Sequence, residues 1–216
     1  MTAQAGGAIL SSQAALMHQR GLLRQQMRQL RRSIPKTQQQ QAAQSLARQF
    51  DRYHLLRPGL RIAVYLALPG EISLHALITR ARHRGCELYA PHVINTHRRQ
   101  MKFVALPADS PLQYHRWGMP QVRFPPRGGL SIRQLDLVLV PLVAFDAQGH
   151  RLGMGAGFYD RYLARAGLQH AWQRPRLLGV AYALQQVAQV PALPHDVAMP
   201  AVMTERGMLH SRHTNR

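Results

Sequence analysis

The apolar run at residues 135–145 (L-D-L-V-L-V-P-L-V-A-F) constrains this chain more than any other segment. Its leucines and valines follow one another without polar alternation, so both faces of the extended chain are apolar. Such a run reads as a buried central strand. Asp136 and Pro141 interrupt the run, and it is far shorter than the roughly 18 apolar residues of a membrane span. Strand-like and helix-like patterns alternate around it. Residues 61–68 (R-I-A-V-Y-L-A-L) read as a strand, 74–84 as a helix stopped by Gly85, 86–90 as a strand closed by Pro91, and 101–106 as another. The run itself predicts one central strand over 136–145. A helix over 158–166 and strands at 177–183 and 201–204 complete the series. This alternation predicts an α/β sheet flanked by helices.

Two helical patterns precede the sheet. Leu16, Leu23, Met27, Leu30 and Ile34 recur at helical spacing up to Pro35, and Ala42, Ala43, Leu46 and Phe50 mark a second helix. Arg20, Arg24, Arg28 and Arg31 ride beside the first stripe, where a solvated face is the plain reading. Residues 1–12 carry no charged side chain and read as disordered, without the basic start of a signal peptide. Residues 107–130 are rich in Pro and Gly and read as a long functional loop. The expected organisation is a disordered extension at 1–15, one domain at 16–207 and a basic tail at 208–216.

The charge is lopsided: 28 basic and nine acidic residues give a formal +19. Such a chain attracts polyanions, from nucleotides to nucleic acid, without specifying which. The single cysteine, Cys86, excludes an intramolecular disulfide and a cysteine-based zinc cluster. No H-E-x-x-H or G-x-S-x-G element is present.

The segment after the central strand carries the chemistry. A turn at 146–149 leads to Arg151 and to Gly153-Met154-Gly155-Ala156-Gly157, which opens a helix bearing Asp160 in its first turn. Glycines let backbone N–H groups approach an anion, and a helix N-terminus adds positive potential. Asp160 could hold a magnesium ion together with phosphate oxygens. The segment matches neither a Walker A loop nor a dinucleotide fingerprint, because no strand leads directly into it and Gly157 breaks the spacing. A phosphate site and a surface turn both remain open on this pattern alone.

The wider pattern resembles the 5-formyltetrahydrofolate cyclo-ligase family. Pro141, Phe145-Asp146, Gly149, Arg151-Leu152-Gly153, Gly155, Gly157 and Tyr159-Asp160-Arg161 match its P-x-x-x-F-D and G-x-R-L-G-x-G-x-G-Y-Y-D-R elements in order. Arg20 to Arg24 is similar to its N-terminal K-x-x-L-R, with arginine in place of lysine. Residues 65–72 resemble its strand and following glutamate, 85–91 its G-x-E-L-Y-x-P strand, and 117–120 its substrate loop. His195-Asp196 through Thr204-Glu205 resembles its C-terminal H-D element. The resemblance covers residues 17–207.

The resemblance implies a Rossmann-like three-layer α/β/α sandwich with a mixed, mostly parallel sheet. It implies conversion of 5-formyltetrahydrofolate to 5,10-methenyltetrahydrofolate with ATP as co-substrate and Mg2+ as cofactor. ADP and phosphate leave, by way of a phosphorylated formyl oxygen. The ATP contacts it implies are Arg20, Arg24, Arg151, Gly153, Gly155, Ala156, Gly157, Phe158 and Tyr159. The folate contacts are Leu66, Glu71, Trp117 and Phe158, and the metal ligands Asp160 and Asp196. Arg28, Arg31 and Arg32 stay with the solvated face. A cytoplasmic monomer with no membrane segment is expected, binding polyanions non-specifically and folate that carries extra glutamates. A non-catalytic, nucleic-acid-binding relative on the same fold is the alternative that the charge suggests.

Overall fold

The computed structural model describes residues 2–96, 98, 100–115, 118–125, 128–155, 158–165, 175–194 and 196–212. Two helices, α1 (Thr2–Arg32) and α2 (Lys36–Arg52), meet at Pro35, which lacks the N–H an uninterrupted helix would need. The sheet then begins with β1 (Arg61–Ala63), α3 (His75–His83), β2 (Glu87–Asn95) and β3 (Gln100–Ala105). A hairpin of β4 (Leu112–Tyr114) and β5 (Pro120–Val122) leads to β6 (Leu137–Pro141). A second small hairpin, β7 (Ala144–Phe145) and β8 (Arg151–Leu152), feeds α4 (Phe158–Arg165). The chain ends with β9 (Arg176–Val180), β10 (Ala201–Thr204) and β11 (Gly207–His210).

Seven strands form the main sheet in the order β11-β10-β9-β6-β1-β2-β3. The pairs β10·β9, β9·β6, β6·β1 and β1·β2 are parallel, while the outer pairs β10·β11 and β2·β3 are antiparallel. On β6, Leu137 and Leu139 face a core shared with Leu46 and Phe50 of α2 and Leu77 of α3. Val138 and Val140 face the opposite core, with Phe103 and with Leu163 of α4. Helices therefore cover both sides, which explains why β6 lacks polar alternation. The result is the expected three-layer α/β/α sandwich with a mixed, mostly parallel sheet.

Several boundaries differ from the sequence expectation. The central strand stops at Pro141, because a residue without N–H cannot continue the ladder. Residues 144–145 pair with β8 instead, so a strand does lead into the glycine-rich segment. Pro91 does not close β2. Its partner β1 ends opposite Tyr89, so on that side no ladder bond requires the missing N–H, and β2 runs on against β3. Residues 107–130 contain the β4–β5 hairpin rather than one long loop. Residues 2–15, expected to be disordered, are the first turns of α1. Residues 208–210, expected in a tail, lie in β11, whose register with β10 pairs Met203 with Met208. Among the described residues no helix is long and apolar enough to cross a membrane.

Candidate active site

Chain order creates the cleft. From β1 the chain moves to β2 on one side, whereas β6 lies on the other side of β1. Connections diverge at that point and leave a crevice beyond the carboxyl ends of the two strands, where α/β folds place their ligands. Tyr65 and Leu66, just after β1, and Pro141, at the end of β6, line a cleft of about 870 Å3 including its open mouth. Arg151, Gly153, Met154, Tyr159 and Asp160 form another part of its wall.

The β7–β8 hairpin aims that wall. Asp146 is buried and accepts hydrogen bonds from the backbone N–H groups of Gln148, His150 and Val190, at 3.0 Å each. Gly149 completes the turn at φ +86°, and a Cβ there would lie 2.5 Å from the Met199 carbonyl oxygen. Arg151 follows, 2% exposed, with its Nε donating to the Val197 carbonyl at 3.1 Å. Its Nη2 donates to Asp160 Oδ1 across the glycine-rich turn. Arg151 is thus a buried clamp on the first turn of α4, not a free cation at the loop's mouth. Gly155 takes φ +101°, a left-handed conformation that favours glycine.

The arginines of α1 close this end, and their arrangement corrects the solvated-face reading. The inward stripe is Arg20, Leu23, Arg24, Met27 and Arg31, while Leu30 points outward at 41% exposure. Arg24 Nε donates to the Gly153 carbonyl at 2.9 Å, and a Cβ on Gly155 would lie 3.7 Å from that same Nε. Burial, then the neighbouring Arg20 and Arg28, lower the Arg24 pKa, so an arriving anion would relieve crowded positive charge. Arg28 and Arg32 are exposed as expected, but Arg31 is 3% exposed.

Arg20 and Asp196, expected as a phosphate contact and a metal ligand, face each other. Arg20 Nη1 donates to Asp196 Oδ2 at 2.6 Å and Nη2 to Oδ1 at 3.3 Å, and Nη1 also reaches the Pro191 carbonyl at 2.6 Å. Both side chains are almost wholly buried, at 5% and 6% exposure. Asp196 Oδ2 further accepts the Leu193 N–H at 2.9 Å. In this arrangement Asp196 neutralises Arg20 rather than standing free for a metal. No group of three or more His, Cys, Asp or Glu residues that could hold a metal occurs among the described residues. Asp160 suits a magnesium ion nonetheless. Its Oδ2 has no hydrogen-bond partner among the described residues, and magnesium often takes one carboxylate, phosphate oxygens and water.

The Leu66–Glu71 end of the cleft was partly legible. Glu71 lines the cleft, nearly buried, with Oε2 accepting the Leu68 N–H at 2.9 Å. Burial raises its pKa, opposed by that N–H and by Arg31. Leu66 lines the same cleft. Tyr65, read only as part of a strand, anchors the turn by donating from its hydroxyl to the Ile72 carbonyl at 2.9 Å. Met119 and Gln121, from the Pro-rich stretch, also line the wall. Trp117, Ala156 and Gly157 lie outside the described residues, and Phe158 is placed only as the first residue of α4.

Known proteins share this sequence pattern and this fold. Residues 16–205 match the 5-formyltetrahydrofolate cyclo-ligase family. The chain is 32% identical over 179 residues to the 5-formyltetrahydrofolate cyclo-ligase of Haemophilus influenzae, covering 82% of this chain and 92% of that one. The Escherichia coli K12 protein of the same name is 33% identical over 178 residues, covering 82% of this chain and 96% of that one. The fold matches the NMR structure of Aquifex aeolicus 5,10-methenyltetrahydrofolate synthetase with a TM-score of 0.71 at 21% identity, over 89% of this chain and 93% of that one. This chain belongs to the 5-formyltetrahydrofolate cyclo-ligase family.

Proposed function

We propose that this protein is an ATP-dependent 5-formyltetrahydrofolate cyclo-ligase, with ATP phosphates at the Arg24–Gly153 end of the cleft and folate at the Leu66–Glu71 end. One observation carries the layout: a single cleft at the strand-order reversal is walled by a glycine-rich, arginine-bearing turn and by a carboxylate on an apolar loop. The amide oxygen of the formyl group is a poor leaving group. Transfer of the γ-phosphoryl group to it turns it into phosphate, a good one. The N10 amine then attacks the activated carbon, the C–O bond breaks, phosphate departs and the amine proton is lost as the ring closes. ADP and phosphate are the by-products.

Phosphoryl transfer asks the protein mainly for position and charge. Arg24 stands over Gly155, and the backbone from Gly153 to Tyr159 is the proposed cradle for the phosphates, with Ala156, Gly157 and Phe158 inside it. Arg151 fixes Asp160, which would hold the magnesium ion; the metal would supply charge neutralisation on the phosphates. Arg20 lies beside Arg24 and keeps one buried donor, Nε, without a partner among the described residues. Asp196 would reach a metal only by releasing Arg20. Glu71 is the proposed acceptor for the pterin N–H groups, with Leu66 against the ring and Trp117 stacking on it. Phe158 is proposed to touch both ligands.

Family membership favours catalysis over the nucleic-acid-binding alternative. The +19 charge supports affinity for polyanions, including folate with extra glutamates, and we propose a cytoplasmic monomer. The test of the function is stoichiometric. ADP should appear only when 5-formyltetrahydrofolate is present, one per folate consumed. ADP formed at the same rate without folate would count against the reading.

A further inference from the structure

Arg31 has no place in the reaction just described, yet it is one of the most deeply buried charges in the molecule. It is 3% exposed, and its Nε and Nη1 have no hydrogen-bond partner among the described residues. Among the described residues only Nη2 makes a polar contact, a weak one with Met154 Sδ at 3.9 Å. Leaving a guanidinium buried and largely unpaired is costly unless a neighbouring charge offsets it. The charge that acts on it is Glu71, with no direct ion pair or hydrogen bond between the two among the described residues. The Gly70–Glu71 turn packs on the arginine stem: a Cβ on Gly70 would lie 3.7 Å from Arg31 Cβ. Each of the two charges acts on the other. The other titratable groups facing Glu71 are Tyr65 and Tyr159, both buried and neutral at ordinary pH. Tyr182 sits by Arg31 with a buried hydroxyl that has no hydrogen-bond partner among the described residues.

We propose that Arg31 is a positioning residue for the folate end of the cleft: packed beneath the Gly70–Glu71 turn, it keeps the Glu71 carboxylate charged and presented to the pterin. This rests on the reading of Glu71 as the pterin acceptor. A protonated carboxyl would keep only one good acceptor oxygen, and its backbone partner Leu68 already uses Oε2. Arg31 is the cationic side chain opposing the burial that favours protonation. Its contact with Met154 also ties the folate turn to the glycine-rich turn that faces ATP.

The test compares Arg31→Gln, Arg31→Lys and Glu71→Gln by kcat/KM for 5-formyltetrahydrofolate across pH, with KM for ATP as the internal control. Removing the charge should move the acid limb of the folate profile upward by about one pH unit, the lower end of what an opposite charge nearby confers. Below that limb the loss is then about tenfold. Arg31→Lys should hold the limb near wild type, and KM for ATP should stay within about twofold in both variants. A merely structural role would lower stability without moving the limb. If Glu71→Gln raises folate KM but Arg31→Gln leaves the limb in place, the proposal is overturned and the Glu71 reading stands. If Glu71→Gln leaves folate KM unchanged, the Glu71 reading fails and takes the proposal with it. Should Arg31→Gln not fold, the wild-type minus Glu71→Gln infrared difference spectrum at neutral pH decides. A carboxylate band supports the proposal and a protonated carboxyl band overturns it.

Discussion

Replacing Asp196 by alanine strands one of the most enclosed cations in the molecule. The Arg20–Asp196 pair makes two contacts, at 2.6 and 3.3 Å, with both side chains about 5% exposed. After Asp196→Ala, Arg20 keeps only the Pro191 carbonyl, and the Leu193 N–H loses its acceptor. Removing one partner of a buried pair costs about 3–5 kcal/mol, chiefly because the other charge stays buried. For a chain of this length each kcal/mol lowers Tm by about 2–4 °C, so a fall of about 6–20 °C is expected by calorimetry. The double variant Arg20→Met/Asp196→Ala should recover most of it, since an apolar replacement leaves no charge behind. The magnesium concentration for half-maximal activity should be unchanged in Asp196→Ala if Asp196 acts through Arg20, and raised in Asp160→Asn. A single variant that melts with the wild type would refute the energetic reasoning. An altered magnesium requirement in Asp196→Ala, with unchanged Tm, would make Asp196 a ligand after all.

Three further outcomes are expected. Arg24→Met removes a charged donor over Gly155 and should raise KM for ATP by about tenfold, the equivalent of one charged hydrogen bond, with folate KM nearly constant in steady-state kinetics. Gly149→Ala combines a left-handed φ with a Cβ placed 2.5 Å from a carbonyl oxygen, so it should cost about 2–5 kcal/mol in denaturant unfolding. Glu71→Gln should trade stability against activity. Burial raises the Glu71 pKa, so its stability contribution is present below the unfolded-state pKa and is lost as pH rises through the folded value. The Tm of the variant relative to wild type should therefore climb from acid to neutral pH; a flat difference would contradict that sign.

The sheet was legible because residues 137–140 are apolar on both faces, and only a doubly covered strand needs that. The glycine-rich turn was legible at Gly149 and Gly155, which answer a turn with no room for Cβ and a left-handed backbone, whereas Arg151, read as standing at the loop's mouth, is a buried clamp whose partner Val197 lies 46 positions away. The ends of strands were harder. Pro141 stops β6, yet Pro91 does not stop β2, and the difference is where the neighbouring strand ends. That is a tertiary fact absent from local pattern. The α1 stripe held at Leu23, Met27 and Ile34 but failed at Leu30, for a related reason. Leucine spacing suggested the buried face, but the site lies beneath α1 and draws arginines inward. The 20, 24, 27, 31 spacing carries that signal once a charged partner for the helix is assumed. The Arg20–Asp196 pair joins residues 176 positions apart in the chain, and nothing local announces it.

The most direct measurement follows the near-ultraviolet band of the methenyl product when the protein meets 5-formyltetrahydrofolate, ATP and magnesium. The account requires a rise that depends on ATP and is strongly reduced by Asp160→Ala. No rise from folded, magnesium-replete protein, or a rise that is the same without ATP, would contradict it.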